Sequence, residues 1–472
     1  MKRYLFVTIL FSAAGASASS WPKPPQVSTP GVFAQQAGAA GTTPESALGN
    51  WWTLLNDPGL TSLIDRAIKA NLDLKVASSR LLEARAASRV SRAALMPSVS
   101  STAAVQRERS GLTPGLPNVK PFETNVFQLG FDASWEIDFF GGRRRALEAA
   151  KADVAAIAEA RRDTLVSLLA EVARNYSELR GFQRRIEILN RNVAVQRDSL
   201  EITRVRAAAG LNAPFDVERQ IAQLESTRAV VPSLEAAKAQ TIHRLSVLIG
   251  EEPGALLDEL TPARPLPAIP PSVPVGLPAD LLKRRPDIRE AEARVAAATA
   301  RVGVARADLF PKILLTGAAG RQATEPSGLT LGAANFFSLG PAITLPIFTG
   351  GRIRANIEVQ KQRLDQALTQ YRSTVLRSFE ETENSLVSYG RERERQERLV
   401  AAVEASRQAT ILASELYTRG LSDFLAVLDA QRQQLTAEDD LAQSGTEVVT
   451  DLIALYKALG GGWQAVPGQG IF

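Results

Sequence analysis

The chain has 472 residues, 45% hydrophobic and 22% charged, enough apolar material for a sizeable core. It has no cysteine and one histidine. That excludes disulfides, thiolate metal sites, cysteine nucleophiles, cysteine-linked acyl anchors and any two-histidine metal centre. The net charge of +5 comes from basic residues interleaved with acids, as in Arg391-Glu392-Arg393-Glu394-Arg395, the pattern of a solvated helix face. With only 6% aromatics there is little for bases to stack on, so nucleic acid is not an expected partner.

Lys2 and Arg3 precede an apolar run from Tyr4 to Phe11, and small residues end in Ala16-Ser17-Ala18. This reads as a signal peptide over residues 1–18, with Ser19 as the expected new N-terminus and export as the consequence. Residues 19–57 read as an extended N-terminal segment, proline-rich from Trp21 to Pro30. No later stretch has the 18 apolar residues of a membrane-spanning helix.

The rest repeats itself, over residues 58–260 and again 279–459, with a tail over 460–472. Asn71-Leu72-Asp73-Leu74 leads through an alanine-rich helix to Pro97, and Arg285-Pro286-Asp287-Ile288 leads the same way to Pro311. Gly141-Gly142-Arg143 has its counterpart in Gly350-Gly351-Arg352, and Gly210-Leu211 in Gly420-Leu421. Between the halves, residues 261–278 carry repeated prolines and read as an extended linker.

Each half predicts helix, strand, strand, very long helix, turn, helix. The strands are expected at about 97–107, 125–138, 311–321 and 336–348. From Asn125 to Asp138, Phe127, Leu129, Phe131, Ala133, Trp135 and Ile137 alternate with Gln128, Gly130, Asp132, Ser134, Glu136 and Asp138. All four segments reach the 9–11 residues that a tilted strand needs to cross a bilayer. Four strands cannot close a barrel, and an open edge in lipid would leave backbone groups unpaired. Closure then requires several copies, with Asp132 and Glu136 facing the lumen. The loops 108–123 and 322–335 would face outward, and the paired glycines would mark the passage to the periplasmic helices. Arg143, Arg144 and Arg145 would meet lipid headgroups, line the tunnel mouth, or simply begin a solvated helix.

Arg352 to Thr418 contains no proline and one glycine, Gly390. Ile357, Leu364, Leu368, Tyr371, Val375, Phe379, Leu386 and Tyr389 predict coiled-coil seams with a stutter. His243, among Ile242, Leu245 and Leu248, is expected to be packed or at a boundary. No phosphate loop, catalytic triad or metal cluster is visible. No cofactor is expected, and the chain does not read as an enzyme. A periplasmic coiled-coil adaptor is the rival from another class, but it would lack four bilayer-length strands.

These features resemble the TolC-like outer-membrane efflux family, in the branch serving resistance-nodulation-division pumps. The likeness rests on WWTLLNDPGL with NLDL, RRPDI with LFP, GLSDFLAVLDAQRQQL, and LYKALGGGW, from Trp51 to Trp463. It implies a homotrimer in the outer membrane of a Gram-negative bacterium. Its 12-stranded β-barrel, four strands per chain, would continue into a long periplasmic α-helical barrel. It also implies a passive exit duct for small molecules in a tripartite pump, with a periplasmic adaptor and an inner-membrane transporter as partners. A duct for type I protein secretion is the alternative. By resemblance, Leu425 and Asp429 form the periplasmic gate. Arg419 and Asp423 form gate ion pairs or are plain tip charges. The tips Gly210, Leu211, Asn212 and Gly420, Leu421, Ser422 contact the adaptor. Without cysteine, the acyl anchor common in this branch is not expected, and the barrel alone would hold the protein in the membrane.

Overall fold

The computed structural model describes residues 31–34, 48–109, 122–270, 278–330 and 332–465. The expected signal peptide, the proline-rich stretch after it, and parts of the first outward loop, the linker and the tail lie outside the described residues.

Trp51–Leu55 form a short 3-10 turn. Helices α1 (Pro58–Ala70) and α2 (Leu72–Ala93) follow, then strands β1 (Ser98–Arg109) and β2 (Glu123–Ile137), then α3 (Gly142–Ala208) and α4 (Pro214–Leu248). The short α5 (Leu257–Leu260) and α6 (Pro278–Arg284) lead to α7 (Pro286–Ala307), β3 (Lys312–Ala323), β4 (Asn335–Thr344), α8 (Arg352–Thr418) and α9 (Phe424–Ala458). Four pairs of counterpart elements match in length as well as order. α2 and α7 have 22 residues each, β1 and β3 have 12, α3 and α8 have 67, and α4 and α9 have 35. At 1.5 Å per residue, α3 and α8 each extend about 100 Å.

The chain packs as two compact units, and each draws on both halves. One contains residues Arg89–Ala152 and Arg294–Thr369. Its sheet has the order β1-β2-β3-β4, antiparallel throughout, so the β2–β3 pair joins the two halves. The register aligns Val105 with Phe127, Leu129 with Arg321, Phe131 with Ala319, and Gly317 with Leu339. Odd-numbered residues therefore share one face across all four strands. That face carries Val99, Leu129, Phe131, Phe337, Leu339 and Ile343, all exposed. The other face carries Thr102, Gln128, Asp132, Ser134, Glu136 and Thr316. An apolar face this large and open matches a lipid-facing surface. β4 stops at Thr344, short of the expected 348, because Pro346 has no N–H to donate to a ladder. Pro341 lies within β4, opposite Leu315 of β3.

The strand-to-helix passage is built from sequence neighbours. The Asp138 carboxylate accepts from the backbone N–H of Arg143 at 3.0 Å and of Arg144 at 2.7 Å, capping α3. Gly141 between them has φ +81°, a conformation that disfavours side chains. Phe140 stacks on Phe310 at 4.8 Å, linking the strand-to-helix corner of the first half to the helix-to-strand corner of the second.

The second unit contains residues 28–88, 153–293 and 370–472. Its core gathers Trp51, Trp52, Leu60, Leu169, Tyr176, Ile242, Val448 and Tyr456. Trp51 stacks on Tyr456 at 5.2 Å. Asp57 caps α1 by accepting from Gly59 N at 2.8 Å and Leu60 N at 3.0 Å, with Pro58 at the first helical position. The Tyr176 hydroxyl, which stands between both Asp57 oxygens at 2.9 Å, joins that cap to α3. Along α8, Tyr371, Val375, Leu386 and Tyr389 are buried, as a coiled-coil seam requires. His243 is exposed, contrary to expectation. Its neighbours Ile242 and Leu245 take the core face of α4, and residue 243 falls outside that stripe.

Candidate functional site

The two helical turns, Gly210 to Asn212 and Gly420 to Ser422, have nearly the same backbone. Gly210 has φ +72° and Gly420 has φ +74°. The N–H of Leu211 reaches back to Arg206 O at 2.9 Å, and that of Leu421 to Leu416 O at 2.8 Å. This is the Schellman closure of a helix C-terminus, which requires a left-handed residue and so selects glycine. Pro214 opens α4 at its first position, and Asp423 caps α9 by accepting from Ala426 N at 3.1 Å.

The turns touch within one chain. Asn212 Oδ1 accepts from Arg206 Nε at 3.1 Å and from the Tyr417 hydroxyl at 3.2 Å, while its Nδ2 donates to Asp216 at 3.3 Å. The Arg206 guanidinium lies 4.6 Å from the centre of the Tyr417 ring, a cation–π contact. Tyr417, Phe424 and Val427 form a small separate apolar cluster. Of these only Asn212 was singled out from sequence. Tyr417 carried a signal there, since it lies four heptads beyond Tyr389 in the same seam.

Leu425 and Asp429 lie one turn apart on the open side of α9, opposite Phe424 and Val427. Leu425 is 46% exposed. Asp429 accepts from Gln433 at 2.8 Å and from Arg432 at 3.2 Å, both on its own helix. Arg419 and Asp423 do not pair with each other in the chain. Arg419 faces Glu415 at 3.9 Å, and Asp423 is occupied as the α9 cap. On the sheet, Asp132 accepts from the Thr102 hydroxyl, and Glu136 pairs with Arg143 at 2.6 Å. Leu211 and Leu421 are exposed at the tips.

Further from the tips, α9 is tied to α3 and α8 by consecutive carboxylates. Glu438 accepts from Arg407 of α8 at 2.9 Å and from Arg191 of α3 at 3.1 Å. Asp439 forms a two-pronged pair with Arg185 at 2.7 and 2.8 Å. Burial works against the charge on Glu438. Hydrogen bonds from Arg407 and Gln434, with the charges of Arg191 and Arg407, outweigh it and hold the carboxyl below its usual range. Asp451 behaves oppositely. Burial, then the charges of Glu392 and Glu447, push it up to about 6.

The RRPDI and GGGW segments meet in space. Arg285 donates to Ala458 O at 3.0 Å, to Asp287 at 2.7 Å and to Glu381 at 2.7 Å. The Trp463 indole N–H donates to Arg284 O at 3.0 Å, and the guanidinium of Arg162 lies 4.7 Å from the centre of the Trp463 ring.

The Outer membrane efflux protein family profile matches residues 63–251 and again 277–461. The pyoverdine export outer membrane protein OpmQ of Pseudomonas aeruginosa is 33% identical over 440 residues, 90% of each chain. The toluene efflux pump outer membrane protein TtgF of Pseudomonas putida is 32% identical over 426 residues, 89% of this chain and 87% of its own. The structure of the outer-membrane channel OprN superposes with a TM-score of 0.89 at 38% identity, over 94% of this chain and 99% of that one. The fold is that of the trimeric outer-membrane channels. Each chain supplies four strands to the β-barrel and long helices to the periplasmic α-helical barrel. An exposed apolar sheet face backed by a polar one, a duplicated helix–strand–strand–helix plan and these likenesses together place the chain in the outer membrane efflux protein family, as the outer-membrane channel subunit of a tripartite efflux pump in a Gram-negative bacterium.

Proposed function

We propose that three copies form a passive exit duct for small molecules, gated at its periplasmic end by Leu425 and Asp429. It would be fed by a resistance-nodulation-division type transporter through a periplasmic adaptor that docks at the two turns. The observation that carries this reading is the four-stranded sheet with one apolar exposed face and two unpaired edges, β1 and β4. Edge-to-edge pairing of three such sheets gives about twelve strands and leaves no open ladder in lipid. The same symmetry brings three copies of each tip around one axis.

Leu425 would then form an apolar constriction, and three Asp429 carboxylates a cation-favouring ring. Their shared position on the open side of α9 supports that assignment. Relatives named for pyoverdine and for toluene differ widely in cargo. That difference favours a duct whose selectivity is set by the transporter.

The test uses the absence of cysteine in the chain. A single cysteine at Ser422 is crosslinked in cells and the captured protein identified. Capture of an adaptor belonging to a proton-driven pump supports the reading. Capture of an adaptor of an ATP-driven protein exporter moves the channel to secretion. No capture from an intact trimer removes the turns from the docking surface.

A further inference from the structure

The apolar face of the sheet does not end the same way at its two margins. At the margin that leads into the helices, three basic side chains beside the sheet pair with acids. Arg143 pairs with Glu136 at 2.6 Å, Arg144 with Asp138 at 3.2 Å, and Lys312 with Asp308 at 3.1 Å. At the opposite, loop-bearing margin the balance is different. Arg107, Arg109 and Arg321 all occupy odd positions, so they share the face of Val105, Phe127 and Leu129. They stand near the loop ends of β1 and β3.

One carboxylate serves this group on that face. Glu123 pairs with Arg107 at 2.6 Å and lies 3.7 Å from Arg109. Glu108, between the two arginines in sequence, is at an even position and belongs to the other face. Arg321 donates to the Leu329 carbonyl at 2.8 Å and has no carboxylate partner among the described residues. On this face, among the described residues, three guanidiniums are thus served by one carboxylate. The side chains of Arg107 and Arg109 are 73% and 72% exposed. The change from apolar to cationic takes one side-chain repeat, about 7 Å, from Val105 to Arg107.

We propose that Arg107, Arg109 and Arg321 bind the phosphorylated headgroups of lipids in the outer leaflet of the outer membrane. The inference rests on the outer-membrane placement of the sheet and goes beyond it. Lipid tails would lie on Val99, Phe131 and Leu339, on the side of Arg321 away from the loop and continuous with the lipid-facing surface, and the phosphates would sit where the guanidiniums begin. A guanidinium presents a planar fork that matches two phosphate oxygens, and its aliphatic stem can lie along apolar neighbours.

The test is native mass spectrometry of the trimer purified in dodecyl maltoside and titrated with bisphosphorylated lipid A or with the same lipid dephosphorylated. The wild-type channel is expected to retain the phosphorylated form about tenfold more tightly or better, the scale of a charge-assisted contact. The R107Q/R109Q/R321Q variant is expected to lose that preference. Arg321→Gln alone, at one exposed position, is the second variant should the triple fail to assemble, and it should lose part of the preference. Equal retention of both lipids by the wild type, or an unchanged preference in both variants, overturns the proposal. Complete competition by inorganic phosphate at the lipid's concentration also overturns it, because the site would then be a general anion site. Conductance in a neutral phosphatidylcholine bilayer should be the same for all forms. Its absence in the wild type would mean that the channel reading has failed, and not the lipid site alone.

Discussion

The Tyr417 hydroxyl donates to Asn212 Oδ1 at 3.2 Å, joining the two helical turns of one chain. The Arg206 guanidinium packs over the same ring and donates to the same oxygen, so one asparagine carbonyl gathers both helix ends. Removing the hydroxyl should loosen the turns with little effect on the small apolar cluster beneath. Tyr417→Phe loses about 1 kcal/mol of tip contact, roughly a fivefold shift in a two-state equilibrium. The expected result is a comparable rise in channel openings in planar bilayers with an almost unchanged melting temperature. An unchanged opening frequency would mean that this bond does not hold the gate.

Leu425 and Asp429 should separate size from charge. Leu425→Ala is expected to raise the resting conductance while leaving the reversal potential in a salt gradient unchanged. Asp429→Asn is expected to move that potential toward zero, because a ring of carboxylates favours cations. If neither variant alters either quantity, the axis is lined by other residues.

Glu438 is the sole carboxylate between Arg191 and Arg407 among the ion pairs described, and its side chain is 4% exposed. Glu438→Gln leaves two guanidiniums facing each other and should cost about 2 kcal/mol at neutral pH, reduced from a fully buried pair because both arginines reach solvent. The carboxyl is held below its usual range, so its contribution is present above the unfolded pKa and is lost as pH falls through the folded one. The variant's deficit in melting temperature should therefore shrink on acidification. A deficit independent of pH would assign the loss to packing.

Asp451 carries the opposite sign. Its folded pKa of about 6 lies above the ordinary 3.8, so its contribution is full below the unfolded value and is lost as pH rises through about 6. The difference corresponds to about 3 kcal/mol at most, cut to about 1–2 kcal/mol by its half-exposed setting. Asp451→Asn keeps the neutral shape. It should melt a few degrees higher than the wild type at pH 7.5, with the advantage gone below about pH 4. Equal melting at both pH values would show that Asp451 ionises without penalty.

Much of the architecture could be read from residue order, because its signals are local. Alternation from Phe127 to Ile137 marks a strand with two unlike faces, and that face pattern is what the sheet displays. The long run without proline from Arg352 to Thr418 marks one helix, and its heptads mark the buried seam. The repeated NLDL-to-proline and glycine-pair anchors announce the duplication seen in the matching element lengths. Glycine at the turns is equally local, since the left-handed backbone there has a direct residue preference.

Contacts between distant residues were not readable, because periodicity says which face is apolar and not which face meets it. Pro232 removes a helical donor, yet α4 continues through it, with Leu224, Leu234 and Ile242 buried on either side. The Arg285 contact with Ala458 and the Tyr417 contact with Asn212 join residues 173 and 205 positions apart. The sequence by itself determined the repeat, the strand faces and the helix lengths, each encoded within a few turns of chain. Only the tertiary structure decided which carboxylate answers which arginine. That choice left Glu438 shared by two guanidiniums and Arg321 without a carboxylate among the described residues, through the packing and register of segments far apart in the chain.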